Sequence, residues 1–157
     1  MVTYAVNEFS EQTAGAGFYI KGDNPRAVDL VEKFADDINL DQLLIRTARE
    51  LAVTGNCFWE RRFDRIKKDP RDPFKLISIG NLIEVAILPY TTMRLVPDAY
   101  TGADPPHGYT QIIFGRYIQF APEQIAHFKF NVSGGAIGSD FYGMGLTQPV
   151  LDYVAQA

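Results

Sequence analysis

Cysteine is almost missing from this chain of 157 residues: Cys57 is the only one, so no intramolecular disulfide can form. A lone thiol fits a reducing compartment. Histidine is nearly as scarce, with only His107 and His127. Two histidines and one cysteine, without a CxxC or helical His spacing, do not make a zinc site, and no metal or cofactor is expected. Long hydrophobic runs are absent too. The longest, Val85 to Leu88, cannot span a bilayer, and Met1 to Ser10 has no basic stretch leading into an apolar one. The expectation is a soluble chain, neither secreted nor inserted in a membrane. Basic residues are not in excess: the net charge is −4, which argues against a dedicated nucleic-acid-binding domain. There is no internal repeat and no low-complexity tract.

What is present suits one domain with its own core. Apolar residues make up 46% and charged residues 22%, the balance of a globular protein rather than a disordered one. Residues 2–21 read as two short strands, Phe18-Tyr19-Ile20 being the clearer. Asn24-Pro25 opens a helix, with Asn as N-cap and Pro in the first turn; Val28, Val31, Phe34, Ala35 and Ile38 share one face. A second helix starts near Leu40-Asp41, carries Leu40, Leu43, Leu44, Ala48, Leu51 and Ala52 as its apolar set, and ends at Gly55. Residues 56–63 then form an aromatic-rich strand. Residues 64–75 read as a charged hairpin loop, Ile83 to Leu88 as a buried strand, and Thr92 to Val96 as another. Tyr109–Phe114 and Tyr117–Phe120 pair across Gly115-Arg116, read as a type II′ turn. A strand at Ile125–Phe130 and a loop at 131–146 follow. Thr147 caps a last helix with Pro149 in its first turn. The fold class is α+β: two helices in the N-terminal half packed on a mostly antiparallel sheet, a long charged hairpin, and the start of a further helix. No C-cap follows the apolar Val150, Leu151 and Val154, so residues 1–157 are expected to be one domain truncated from a longer chain.

Three stretches are candidates for chemistry. Cys57 and His127 form the pair a cysteine-dependent hydrolase or acyltransferase would use. A reactive thiolate wants a helix N-terminus or an imidazolium beside it, whereas Cys57 follows a helix C-terminus on a strand that reads as buried. In the glycine-rich loop from Gly134 to Gly145, Gly138 and Gly143 have P-loop spacing, but Met144 stands where the lysine belongs. Residues 61–75 hold seven basic side chains (Arg61, Arg62, Arg65, Lys67, Lys68, Arg71, Lys75) and three acids, a local +4 on a body of −8. Such a finger suits phosphates or an acidic partner, although its aspartates weaken the case for DNA. The carboxylates elsewhere form no recognisable acid–base pair.

An ordered set of motifs resembles the portal proteins of tailed viruses. It comprises the Ala27–Phe34 helix, Gly55-Asn56 leading into Phe58-Trp59-Glu60, and Leu88-Pro89 leading to Met93-Arg94-Leu95-Val96. Pro122-Glu123-Gln124-Ile125-Ala126-His127-Phe128 and Tyr142-Gly143-Met144-Gly145-Leu146 follow. Many relatives have Ser-Pro directly after the glycine-leucine pair; Thr147-Gln148-Pro149 carries an extra residue. The resemblance covers roughly residues 18–157 and implies the wing region of a ring that is typically dodecameric. In that family the ring sits at a capsid vertex, docks terminase, neck and tail proteins, and passes double-stranded DNA without sequence specificity. It acts in the virion after assembly in the host cytoplasm, with no catalysis of its own. The resemblance also implies structural roles. Gly55, Gly143, Gly145 and Pro149 would set backbone geometry, and Trp59 and Phe128 would pack. Asn56, Glu60, Pro89, His127 and Tyr142 complete the motif set.

Overall fold

The computed structural model describes residues 2–97, 107–130 and 142–146. Among these, three helices precede eight strands: α1 (Val2–Ala14), α2 (Pro25–Asp37) and α3 (Leu40–Thr54), then β1 (Asn56–Phe63), β2 (Ile66–Asp69), β3 (Asp72–Ile79), β4 (Leu82–Leu88), β5 (Met93–Val96), β6 (Gly108–Ile113), β7 (Arg116–Phe120) and β8 (Ile125–Lys129). Every strand pair is antiparallel. The architecture is α+β.

The helices follow their local signals. Asn24 accepts the backbone N–H of Arg26 at 3.1 Å and of Ala27 at 3.4 Å, capping α2. Gly55 ends α3 at φ 75°, its N–H on the Leu51 carbonyl at 2.9 Å. The first helix corrects the expectation of strands over residues 2–21. Val6, Phe9, Ser10 and Thr13 fall one helical turn apart; Val6 and Ser10 are buried, and Phe9 meets Phe130 edge-on at 6.2 Å. Packing on α3 selects the helix over a weak strand propensity. Phe18 to Ile20 belongs to no strand.

Two three-stranded sheets form the β portion, ordered β4-β1-β8 and β5-β6-β7. Their shared core holds Phe58, Leu88, Met93, Tyr109, Phe120 and Ile125. Strand side chains alternate, so Cys57 and Trp59 point from β1 to the opposite face, where α3 lies. β1 therefore divides two interiors: helices on one side, the second sheet on the other.

Three further expectations are corrected. Residues 64–75 are not a loop: β2 and β3 pair into an arm that continues the β1–β4 hairpin past a bend, where Asp64 N–H bonds the Asn81 carbonyl at 3.0 Å and Gly80 N–H that of Arg65 at 2.8 Å. The arm's Phe74 ring seats on Gly108, where any side chain would collide with it. β4 is not a buried strand but an edge, with Ile83 59% exposed; its apolar run mimics a central strand because one face alone is covered. The β6–β7 turn is centred on Phe114-Gly115, at φ 48° and 75°, between paired Ile113 and Arg116. Two positive φ values make it type I′ rather than II′. Of the expected loop at 131–146 only 142–146 is described, and the helix start at Thr147 and Pro149 lies outside the described residues.

Candidate functional site

Asn56 is the first residue of β1 and is fully buried. Its amide is saturated. Nδ2 donates to the carbonyls of Thr54 at 3.0 Å and Gly143 at 2.9 Å, while Oδ1 accepts the Gly143 N–H at 2.8 Å and faces His127 Nε2 at 3.1 Å. A backbone N–H can only donate, so the atom it meets is the amide oxygen. His127 must then carry its proton on Nε2. The imidazole lies flat on Phe58 with centroids 4.2 Å apart.

This amide clasps residues 142–146 to the junction of α3, β1 and β8. Met144 N–H bonds the Phe130 carbonyl at 2.7 Å, Phe130 N–H that of Gly55 at 2.8 Å, and Leu146 N–H that of Ala52 at 2.8 Å. The last contact satisfies a carbonyl that the end of α3 leaves open. Tyr142 Oη accepts the Leu95 N–H at 3.3 Å, tying the strap to β5. Backbones approach so closely that a Cβ at Gly55 would collide with Met144, and one at Gly143 with the Gly55 carbonyl. Gly55, Asn56, His127, Tyr142, Gly143 and Gly145, scattered over ninety positions of sequence, are thus brought to one place.

The remaining motif residues lie around it. Trp59 Nε1–H donates to Thr47 Oγ1 at 2.8 Å, and its ring meets Phe128 at 4.8 Å. Thr47 in turn donates to the Leu43 carbonyl at 2.7 Å. Sequence reasoning missed Thr47; the only sign was a hydroxyl among the inward positions of α3. Glu60 pairs with Arg62 at 3.0 Å. The Pro89 carbonyl accepts the Thr92 N–H at 3.1 Å in a short turn before β5. Pro149 lies outside the described residues.

A Cys57–His127 dyad does not form. Cys57 is opposite Phe128, and His127 opposite Phe58, in the β1–β8 ladder. Adjacent residues point to opposite faces, so thiol and imidazole sit on different sides of the sheet. Cys57 Sγ–H instead faces Thr47 Oγ1 at 3.8 Å, and burial pushes the thiol up to about 11. That is the reverse of an activated nucleophile.

The basic stretch is divided by the fold. Arg61 donates to the Pro122 and Ile125 carbonyls at 3.1 and 3.2 Å, and Arg62 is held between Glu60 and Glu84. Arg65 lies 3.8 Å from Asp64, and Lys68 donates to the Gln119 carbonyl, where partial burial lowers its pKa. Lys67, Arg71 and Lys75 remain exposed on the arm. An open hollow of about 430 Å³ lies between Tyr90, Thr91, Met93, Arg94 and Tyr142. Its guanidinium is already engaged with the Thr91 and Met93 carbonyls. Among the described residues no group of three or more His, Cys, Asp or Glu could hold a metal, and no helix is long and apolar enough to cross a membrane.

No protein-family model and no curated protein matches the chain. Its fold does match chains in solved particles. One is from the virion of a native gene transfer agent particle, at TM-score 0.65 and 20% identity, covering 98% of this chain and 37% of that one. A second is from the neck of the native particle computed with C12 symmetry, at TM-score 0.66, 19% identity and the same coverage. A third is from the neck of the empty particle computed with C6 symmetry, at TM-score 0.69 and 19% identity, covering 99% and 39%. The chain therefore spans under two fifths of their length, and what it shares with them is the fold.

Proposed function

We propose that this chain is a wing-like part of a portal-type ring in a phage-like particle. It would be a structural element of the conduit for double-stranded DNA, at a capsid vertex, with no catalysis of its own. The observation that carries the reading is the path of the chain: 98–99% of it follows chains of gene transfer agent virions and necks at TM-scores of 0.65–0.69. The ordered motifs support it independently, because six of the residues that carry the resemblance to portal proteins, Gly55, Asn56, His127, Tyr142, Gly143 and Gly145, meet at one clasp. The burial of Cys57, which holds its thiol protonated, favours a structural over a catalytic role. The net charge of −4 suits a conduit, since a strongly basic wall would grip phosphates. The partners of this reading are further copies in a ring, capsid, terminase and neck or tail proteins, and DNA in passage. Residues 1–157 form a single domain of a longer chain in this reading.

Negative-stain electron microscopy of the longest product of the gene is the test. Rings with a central channel are the expected result. Compact single particles from a product ending near Ala157 would overturn the reading.

A further inference from the structure

The edges of the two sheets are not alike. β5 spends a backbone N–H on Tyr142, through Leu95, and β7 a carbonyl on Lys68, through Gln119. β8 is tied through the Ile125 carbonyl to Arg61. β4 has β1 on one side, and among the described residues nothing bonds its outer backbone row. Yet β4 is Leu82-Ile83-Glu84-Val85-Ala86-Ile87-Leu88, the most apolar strand of the fold. A long apolar edge with unpaired N–H and C=O groups is a template for another strand. Beside it runs an open groove of about 310 Å³ between β4 and the start of α3, lined by Ile38, Gln42, Leu43, Arg46, Val85 and Ile87.

The order of residues in β4 says which strand fits. Read outward from Val85, the sequence is nearly the same in both directions: Ile83 answers Ile87, and Leu82 answers Leu88. An antiparallel copy centred on Val85 sets Ile83 against Ile87 and Leu82 against Leu88. Glu84 then faces Ala86, so no like charges stand directly opposite. A shift of two residues in one direction would put Glu84 against Glu84. Each Glu84 is also paired with its own Arg62, at 2.9 Å, an arginine it shares with Glu60. The pairing extends the apolar strip of Ile83, Val85 and Ile87 across both copies on the groove side, covering Ile83.

We propose that β4 pairs antiparallel with β4 of a second copy of this chain, Val85 opposite Val85, joining two three-stranded sheets into one of six strands. The contact is two-fold and closed, whereas a ring needs head-to-tail contacts. It therefore holds chains that are not assembled in a ring, and goes beyond the function proposed above.

The 157-residue chain tests it by sedimentation velocity over a concentration series, with circular dichroism to check that each variant folds. The native chain should form dimers. Val85→Lys and Val85→Glu should each be monomeric, because like charges face each other across the two-fold. A mixture of the two should recover the dimer. Val85→Cys should oxidise to a covalent dimer, since opposed positions are close enough for a disulfide and Cys57 is buried. A native chain that stays monomeric, or a dimer unaffected by Val85→Lys and Val85→Glu, overturns the proposal. Rings of the longest gene product in microscopy, alongside a monomeric 157-residue chain, would remove the β4 pair and leave the ring reading standing.

Discussion

Asn56 illustrates how one side chain can organise a junction. Its amide has two donors and two acceptor positions, and all four are used. Asn56→Ala would strand both the N–H and the carbonyl of Gly143 and remove the oxygen that faces His127 Nε2. Unsatisfied buried groups cost about 1–3 kcal/mol each. The expected loss for the two Gly143 groups is therefore roughly 2–6 kcal/mol, read as a lower denaturant midpoint with unchanged slope. Cys57 yields a second expectation at this scale. Its thiol stays protonated in the fold up to about 11, against an ordinary 9.0. The unfolded chain ionises first, so this thiol's contribution to stability is fully present below pH 9.0 and is lost as the pH rises towards 11. At pH 8 a thiol reagent should label the native chain at least about 100-fold more slowly than the unfolded chain. Equal rates would show that Cys57 is accessible after all.

Among the elements, the β6–β7 hairpin turns on a residue ill suited to its backbone. Phe114 holds φ 48° while 101% exposed, so the ring offsets none of the strain by packing. Asn is the favoured first residue of a type I′ turn before glycine. Phe114→Asn should stabilise the chain by roughly 1 kcal/mol, visible as a higher melting temperature. A lower melting temperature would mean that the ring has a partner. The same hairpin shows why a turn is hard to place from sequence. Gly115 marked it correctly, but sequence cannot tell whether the glycine is its first or second central residue. The Ile113–Arg116 pairing decides, through the register of a strand whose alternate residues reach the core. In α1 the conflict was between local and tertiary preference. A segment with valine, threonine and aromatics reads as strand until α3 offers a surface matched to helical spacing.

For the whole molecule, the charged arm and the core are separable. None of the core side chains comes from residues 64–81. Replacing residues 65–80 by an Asn-Gly turn should leave a folded chain whose melting temperature falls by only a few degrees, about the loss of a seated Phe74 and its neighbours. Collapse of the fold would show that the arm supports the sheets. If the arm is a docking element, the shortened protein should keep its fold and lose that partner. Lys67, Arg71 and Lys75 are the side chains to follow, since Arg61, Arg62 and Lys68 are already spent inside the chain.

The sequence by itself determined what depends on neighbours along the chain. The α+β class, α2 and its Asn24 cap, α3 with its Gly55 terminus and the aromatic strand after it all rest on capping chemistry and periodicity within one or two turns. The motif residues of the strap were legible as a set, but not their meeting place. Only the tertiary structure decided that Asn56 reaches Gly143, that Cys57 and His127 take opposite faces of one sheet, and that Thr47 anchors Trp59. It also decided that β4 is an edge and that a run of basic residues is divided between internal pairing and an exposed arm. These depend on which strand pairs with which, and in what register. A residue's neighbours across a ladder are distant in sequence, and a shift of one position exchanges its faces.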